Sequence, residues 1–151
     1  MHLLTIYFVF LILFLDEFLE ASKVHGELYG TSIHEVNRIC EKGQICLLEI
    51  DVTGAKSIQK TGLGAKFVFI TTSGGMSEIE SRLRGRGTET EEKIQHRLKT
   101  AENEFTFLKE NPKLFHKVLV NDNLLEATEE LGKLLETWFS RLRKAGKRVK
   151  F

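Results

Sequence analysis

Charge of one sign is missing. The 151 residues carry 22 Lys and Arg against 21 Asp and Glu, a formal net charge of +1. No global field therefore pulls the chain onto nucleic acid, and whatever its cations do they do locally. Cysteine is scarce as well: Cys40 and Cys46 are the two present, too few for a disulfide framework, and they read as reduced thiols leaning toward the core. The five histidines, His2, His25, His34, His96 and His116, show no HxxxH or Cys/His spacing, so no metal site is expected. A long hydrophobic run is lacking too. Residues 3–15, LLTIYFVFLILFL, stop at Asp16, short of the ~20 residues that cross a bilayer as a helix. The run has the length of a signal-peptide core but no Lys or Arg ahead of it, and Ala21 follows Glu20 at the only tempting cleavage site. A buried strand fits the same letters.

With 42% hydrophobic and 28% charged residues, the chain has the size and balance of one soluble globular domain. Past residue 16, helical and strand patterns alternate. Ile33, Val36, Ile39 and Cys40 follow Ser32 at helical spacing, and Gly43 supplies a stop. ICLLEI (45–50), AKFVFIT (65–71) and HKVLV (116–120) are short apolar runs suited to buried strands. Helices are expected at about 54–60, 75–84, 89–110 and 122–142. That order implies a parallel sheet covered by helices.

Thr88 with Glu91 reads as a capping box opening the long helix. Ile94, Leu98, Ala101, Phe105 and Leu108 then form an apolar stripe with Arg97 beside it. In the last helix the stripe is Leu124, Thr128, Leu131, Leu135, Trp138 and Leu142. The tail RLRKAGKRVKF is basic, and a solvated tail explains it better than a lipid or nucleic-acid patch.

Between those helices lies SRLRGRGTETEEKIQHRLKT, residues 81–100, with Arg82, Arg84, Arg86 and Arg97. Arg82 and Arg86 are four apart, and a hinge between Gly85 and Gly87 could bring both, with Arg97, onto one polyanion. Guanidinium forks suit phosphate oxygens. The competing reading is a surface salt-bridged to Glu89, Glu91 and Glu92, and spacing alone favours it.

The letters favour the other. RLRGRGTETEEKIQHRL resembles the lid segment of the guanylate kinase family, which transfers the γ-phosphoryl group of ATP to GMP. FLEASKVHGELYGTS (18–32) resembles the family's GMP-binding stretch, CLLEIDVTGAKSI (46–58) its next strand and turn, and VLVNDNLLEATEELGKLL (118–135) its closing strand and helix. The resemblance implies a P-loop nucleoside monophosphate kinase-like α/β fold, a parallel sheet with helices on both faces. It implies that Glu20, Thr31 and Glu49 read guanine, that Tyr29 touches the GMP phosphate, that Arg82, Arg86 and Arg97 are catalytic phosphate ligands, and that Asn121 joins Arg82 and Arg86 at ATP. The chemistry agrees. Guanine's N1–H and N2–H₂ call for carboxylate acceptors, and its O6 calls for a donor such as the Thr31 hydroxyl.

This sequence departs from the family at several positions. Glu49 stands where many members have Asp, Thr53 where Gln is common, and TTSGGMSEI replaces a more proline-rich loop. The family opens with a strand, the loop GxxxxGK[ST] and a Ser/Arg cluster, none of which this chain contains. That loop holds the ATP phosphates and helps to hold Mg²⁺. ATP and Mg²⁺ are thus expected for the full-length family and not as securely bound groups here. The expected organisation is an apolar segment at 1–15, a partial, N-terminally truncated guanylate kinase-like domain at 16–140 and a basic tail at 141–151. The segment would be a chance reading frame, a surrogate for the missing central strand, or a targeting signal. The first fits best. The functional expectation is a guanylate kinase in a shortened, inactive form, with a non-catalytic protein-interaction module as the alternative. GMP and ATP are the expected ligands, with no nucleic acid, no membrane and a cytoplasmic setting.

Overall fold

A computed structural model describes residues 17–24 and 27–140. The apolar run 3–15, the basic tail with Leu142, and His2, His25 and Gly26 lie outside the described residues. The chain divides into two compact units, with Ala65 ending the first and Lys66–Ser140 forming the second.

In the first unit, β1 (Phe18–Val24) pairs antiparallel with β2 (Glu27–Ser32). Register sets Glu20 opposite Thr31 and Ala21 opposite Gly30. Directly opposed residues project to one face, so the pairing alone brings the side chains of Glu20 and Thr31 together. Gly30 is required by close approach. A Cβ there would stand 2.7 Å from the Phe18 ring and 3.2 Å from the Glu20 carbonyl oxygen. The chain turns directly into α1 (Ile33–Glu41), which ends where Gly43 takes φ 64° and donates its N–H to the Cys40 carbonyl. No residue of α1 is fully buried. Cys40 is exposed and Cys46 half-buried, so the first thiol does not lean into a core as expected. Burial, with Cys40 nearby, pushes the Cys46 thiol up.

Residues 45–50 are not a strand. A buried strand needs hydrogen-bonding neighbours, and among the described residues none pairs with this segment, which leaves Leu47 71% exposed. It leads into α2 (Val52–Lys60), capped by Asp51, whose Oδ1 accepts the Gly54 N–H at 2.7 Å. Gly54, Ala55 and Ile58 form its buried face, and the helix packs on β1.

In the second unit, β3 (Val68–Thr71) and β4 (Lys117–Val120) run parallel, Val68 opposite Lys117 through Thr71 opposite Val120. They are joined through α3 (Gly75–Gly85) and α4 (Glu91–Glu110), and α5 (Leu124–Trp138) follows β4. Parallel strands need such a helical crossover. The parallel sheet and helices match the expected class; the hairpin of the first unit adds an antiparallel pair. Leu83, Ile94, Phe107, Leu114, Leu119, Ala127 and Leu135 are buried here. Phe69 meets Phe105 and Phe115 at ring-centroid distances of 6.0 and 5.2 Å, and Phe107 meets Phe115 at 6.1 Å, edge-on for both Phe115 pairs.

Two helix starts differ from the sequence reading. Thr90, not Thr88, caps α4, its side chain accepting the Lys93 N–H at 3.4 Å, while the Glu91 carboxylate is taken by Arg84. Asn123 caps α5 through its Oδ1, accepting from Leu125 at 2.9 Å and Glu126 at 3.4 Å. Leu124 and Leu125 are then 71% and 75% exposed, and the packed face runs through Ala127 and Leu135. Leu124 and Thr128 thus fall off the expected stripe. No helix among the described residues is long and apolar enough to cross a membrane.

Candidate nucleotide site

The first unit contributes a carboxylate that water barely reaches. Glu20 is 6% exposed, and its Oε1 accepts the Thr31 hydroxyl at 2.7 Å. Its Oε2 faces the first turn of α2, 3.0 Å from where a Cβ on Gly54 would sit. Glycine at 54 therefore lets the helix start close against the carboxylate. Asp51 caps that same turn, a neighbour of Glu20 that sequence reasoning did not single out; Asp two residues after Glu49 and just ahead of a helical pattern was the available signal. Tyr29 lies two residues before Thr31 on β2 and is 59% exposed, free to meet a ligand. Glu49 is exposed on the unpaired segment, and no hydrogen bond ties it to Glu20 or Thr31 among the described residues. Of the four expected GMP residues, the structure joins two directly.

The Glu20–Thr31 bond bears on chemistry. A hydroxyl has one hydrogen, and here Thr31 gives it to Glu20. Donation to a guanine O6 requires the hydroxyl to rotate away.

The second unit places Arg82 at the carboxyl ends of β3 and β4, the edge where open α/β sheets bind ligands. After β3 the chain continues through Thr72 and Ser73, and after β4 through Asn121 and Asp122. The Asn121 N–H donates to the Thr71 carbonyl at 2.7 Å, and the Ser73 N–H to Asp122 Oδ1 at 3.0 Å. Hydrogen bonding from Ser73, its side chain first and its backbone N–H second, with Arg82 adding a smaller effect, holds the Asp122 carboxyl below its usual range. Arg82 reaches the same edge from α3. Its Nε donates to Glu78 Oε1 and its Nη1 to the Asn121 carbonyl, both at 2.7 Å. Arg82 and Asn121, both expected at ATP, are thus in contact.

The remaining arginines differ in how firmly they are held. Arg84 donates to Glu80 at 2.8 Å and in a fork to Glu91 at 2.6 and 2.9 Å. Hydrogen bonds from Arg84, then Gln95, lower the Glu91 carboxyl to about 2; Glu91 and Glu80 in turn raise Arg84. Arg97 Nε stands 2.8 Å from Glu89 Oε2, but the N–H is not aimed at that oxygen, which is otherwise without a hydrogen bond. Their attraction is one of charge rather than of a directed bond. Arg86, at the end of α3 before Gly87 (φ 63°), is exposed, and its side chain pairs with no described residue. Of the carboxylates expected as partners, Glu91 pairs with Arg84 and Glu89 with Arg97; Arg82 pairs instead with Glu78, and Arg86 with no described residue. Among the described residues, no three His, Cys, Asp or Glu side chains converge in a way that could hold a metal ion.

The parallel sheet with its helical crossover in the second unit, and the hairpin carrying a buried carboxylate in the first, are each consistent with the nucleoside monophosphate kinase class of α/β folds. The solved guanylate kinase of Anaplasma phagocytophilum has this fold, with a TM-score of 0.63 over 85% of this chain and 60% of that one at 23% identity. The guanylate kinase family model matches residues 14–138, and the chain belongs to that family. It is 48% identical over 121 residues to guanylate kinase 1 of Arabidopsis thaliana, covering 79% of this chain and 30% of that one. It is 36% identical over 121 residues to guanylate kinase of Fusobacterium nucleatum (80% and 63%) and 34% identical over 130 residues to guanylate kinase of Homo sapiens (86% and 65%). The chain therefore spans between about a third and two thirds of the length of these relatives.

Proposed function

We propose that these residues form the guanine-reading and phosphate-clamping parts of a guanylate kinase, which converts ATP and GMP to ADP and GDP. The observation that carries this reading is the buried Glu20, with one oxygen engaged by the Thr31 hydroxyl and the other facing the first turn of α2. Guanine offers N1–H and N2–H₂ on one edge, where adenine offers an unprotonated N1 and a C2–H, so a fixed acceptor there favours GMP over AMP. Glu49 would supply the second acceptor and Tyr29 a phenol for the GMP phosphate.

Phosphoryl transfer asks the protein mainly for positioning and for compensation of charge on the equatorial oxygens. Arg86 can supply that charge without releasing a partner. Arg97 gives up an undirected pairing, and Arg82 stands at the sheet edge beside Asn121, where ATP would lie. Mg²⁺ accompanies ATP in the family reaction, but the described residues bring together no group of carboxylate, histidine or cysteine side chains that could hold it. A chain of these residues alone, without GxxxxGK[ST], binds GMP weakly and gives no turnover. We place it in the cytoplasm with the rest of the family. The second reading is a non-catalytic module that docks protein. Calorimetric titration of the 151-residue chain with GMP and AMP separates the two: selective GMP binding supports the kinase-derived site, and equal or absent binding of both nucleotides supports the module.

A further inference from the structure

Arg84 is the one arginine of the loop region with no expected role, yet it is the most completely bonded. We propose that Arg84 is a positioning residue: its guanidinium ties the last turn of α3 to the first turn of α4, and so sets where Arg86 stands, without itself binding phosphate. The inference rests on the reading that Arg86 meets a phosphate.

Residues 86–90 link Gly85, the last residue of α3, to Glu91, the first of α4. Nothing packs this link into place at its glycines. Gly87 takes a left-handed φ of 63°, and a Cβ built at Gly85 or Gly87 would meet no atom within 4 Å. Such a link leaves two helix ends free to hinge unless something ties them. Arg84 and Glu91 are that tie. The Nη1 and Nη2 donors meet the two Glu91 oxygens at 2.6 and 2.9 Å, a planar fork that fixes orientation as well as distance. Each end is braced on its own helix: Arg84 Nε on Glu80 at 2.8 Å, one turn back on α3, and Glu91 Oε1 by Gln95 at 2.8 Å, one turn on along α4. An isolated exposed ion pair contributes little to stability, but a bidentate pair within a network can hold a geometry. With its fork full, Arg84 could bind phosphate only by releasing Glu91, whereas Arg86 has no partner among the described residues to release.

The test uses the full 151-residue chain with Cys40 and Cys46 changed to Ser and spin labels at Ser81→Cys on α3 and Glu92→Cys on α4. With Arg84 and Glu91 intact, the label-to-label distance is narrowly distributed. Arg84→Gln and Glu91→Gln each broaden it to the same extent, the double change adds nothing further, and Arg84→Lys restores part of the order, while circular dichroism verifies that the helices remain. Distributions unchanged in Arg84→Gln and Glu91→Gln would overturn the proposal. A second arm titrates inorganic pyrophosphate. Arg84→Gln weakens its binding several-fold, and the loss vanishes in an Arg86→Gln background. Losses that instead multiply would mean that Arg84 contacts phosphate itself, and would also overturn it. Absence of pyrophosphate binding to the unaltered chain would count against the phosphate reading of Arg86, while the spin-label arm would still decide whether Arg84 ties the helices.

Discussion

The two units carry charge in opposite ways. In the first, the Glu20 carboxylate is buried between a hairpin and a helix start, with a hydroxyl bound to one oxygen. In the second, Arg82, Arg84 and Arg86 stand at or near the surface, Arg82 and Arg84 paired with carboxylates that solvent also reaches, while Arg97 faces the more buried Glu89. A buried acceptor has a fixed direction and penalises a ligand that cannot bond it, so it suits recognition of a base. Exposed ion pairs exchange partners at little net cost, so they suit a phosphate that must be gripped and then released.

Breaking the buried half should have the largest effect. Glu20→Gln replaces an acceptor with a mixed amide and should weaken GMP by about 10- to 100-fold, as for loss of a charge-assisted hydrogen bond, with AMP little changed in the same calorimetric titration. Gly30→Ala drives a Cβ into the Phe18 ring beside Glu20. It should lower stability to urea by about 1–3 kcal/mol, the usual range for overpacking. On the exposed half, Asn123→Ala removes the α5 cap and should cost about 1 kcal/mol in the same unfolding measurement. Arg86→Gln should leave unfolding within about 0.5 kcal/mol of the parent, as expected for an exposed surface residue, while reducing pyrophosphate affinity several-fold.

The smallest effect concerns pH. The Glu91 carboxyl titrates at about 2 in the folded chain against 4.5 for the free group. Its pairing with Arg84 is therefore fully present above 4.5 and is lost as pH falls toward 2. Spin-label distances between α3 and α4 should stay narrow at pH 4 and broaden only nearer pH 2. Broadening complete by pH 4 would show that the fork does not hold Glu91 as described.

How much of this was legible depended on whether the cause was local. The helices of the second unit could be read because the spacings of Ile94, Leu98 and Phe105 and the stops near Gly85 are properties of short stretches. The pairing of Glu20 with Thr31 rests on hairpin register, which residue types alone do not specify. The cap of α4 was misplaced by two residues because TETE contains two threonines, and the Glu91 that would complete a box with Thr88 is held instead by Arg84 from another helix. ICLLEI read as a strand from composition, but a strand exists only with a partner. Leu124 and Thr128 read as part of the apolar stripe because apolar spacing does not say which turn of a helix meets the sheet. The family's letters supplied roles for Arg82, Arg86 and Arg97; only the structure separates the tied arginines from Arg86, which pairs with no described residue.

The central claim is that the Glu20 acceptor makes this a guanine site. Its most direct test is the ratio of GMP to AMP affinity of the 151-residue chain, measured by calorimetry before and after Glu20→Gln. The account predicts a clear preference for GMP in the unaltered chain that collapses toward unity in the variant. A preference that survives Glu20→Gln unchanged would contradict it.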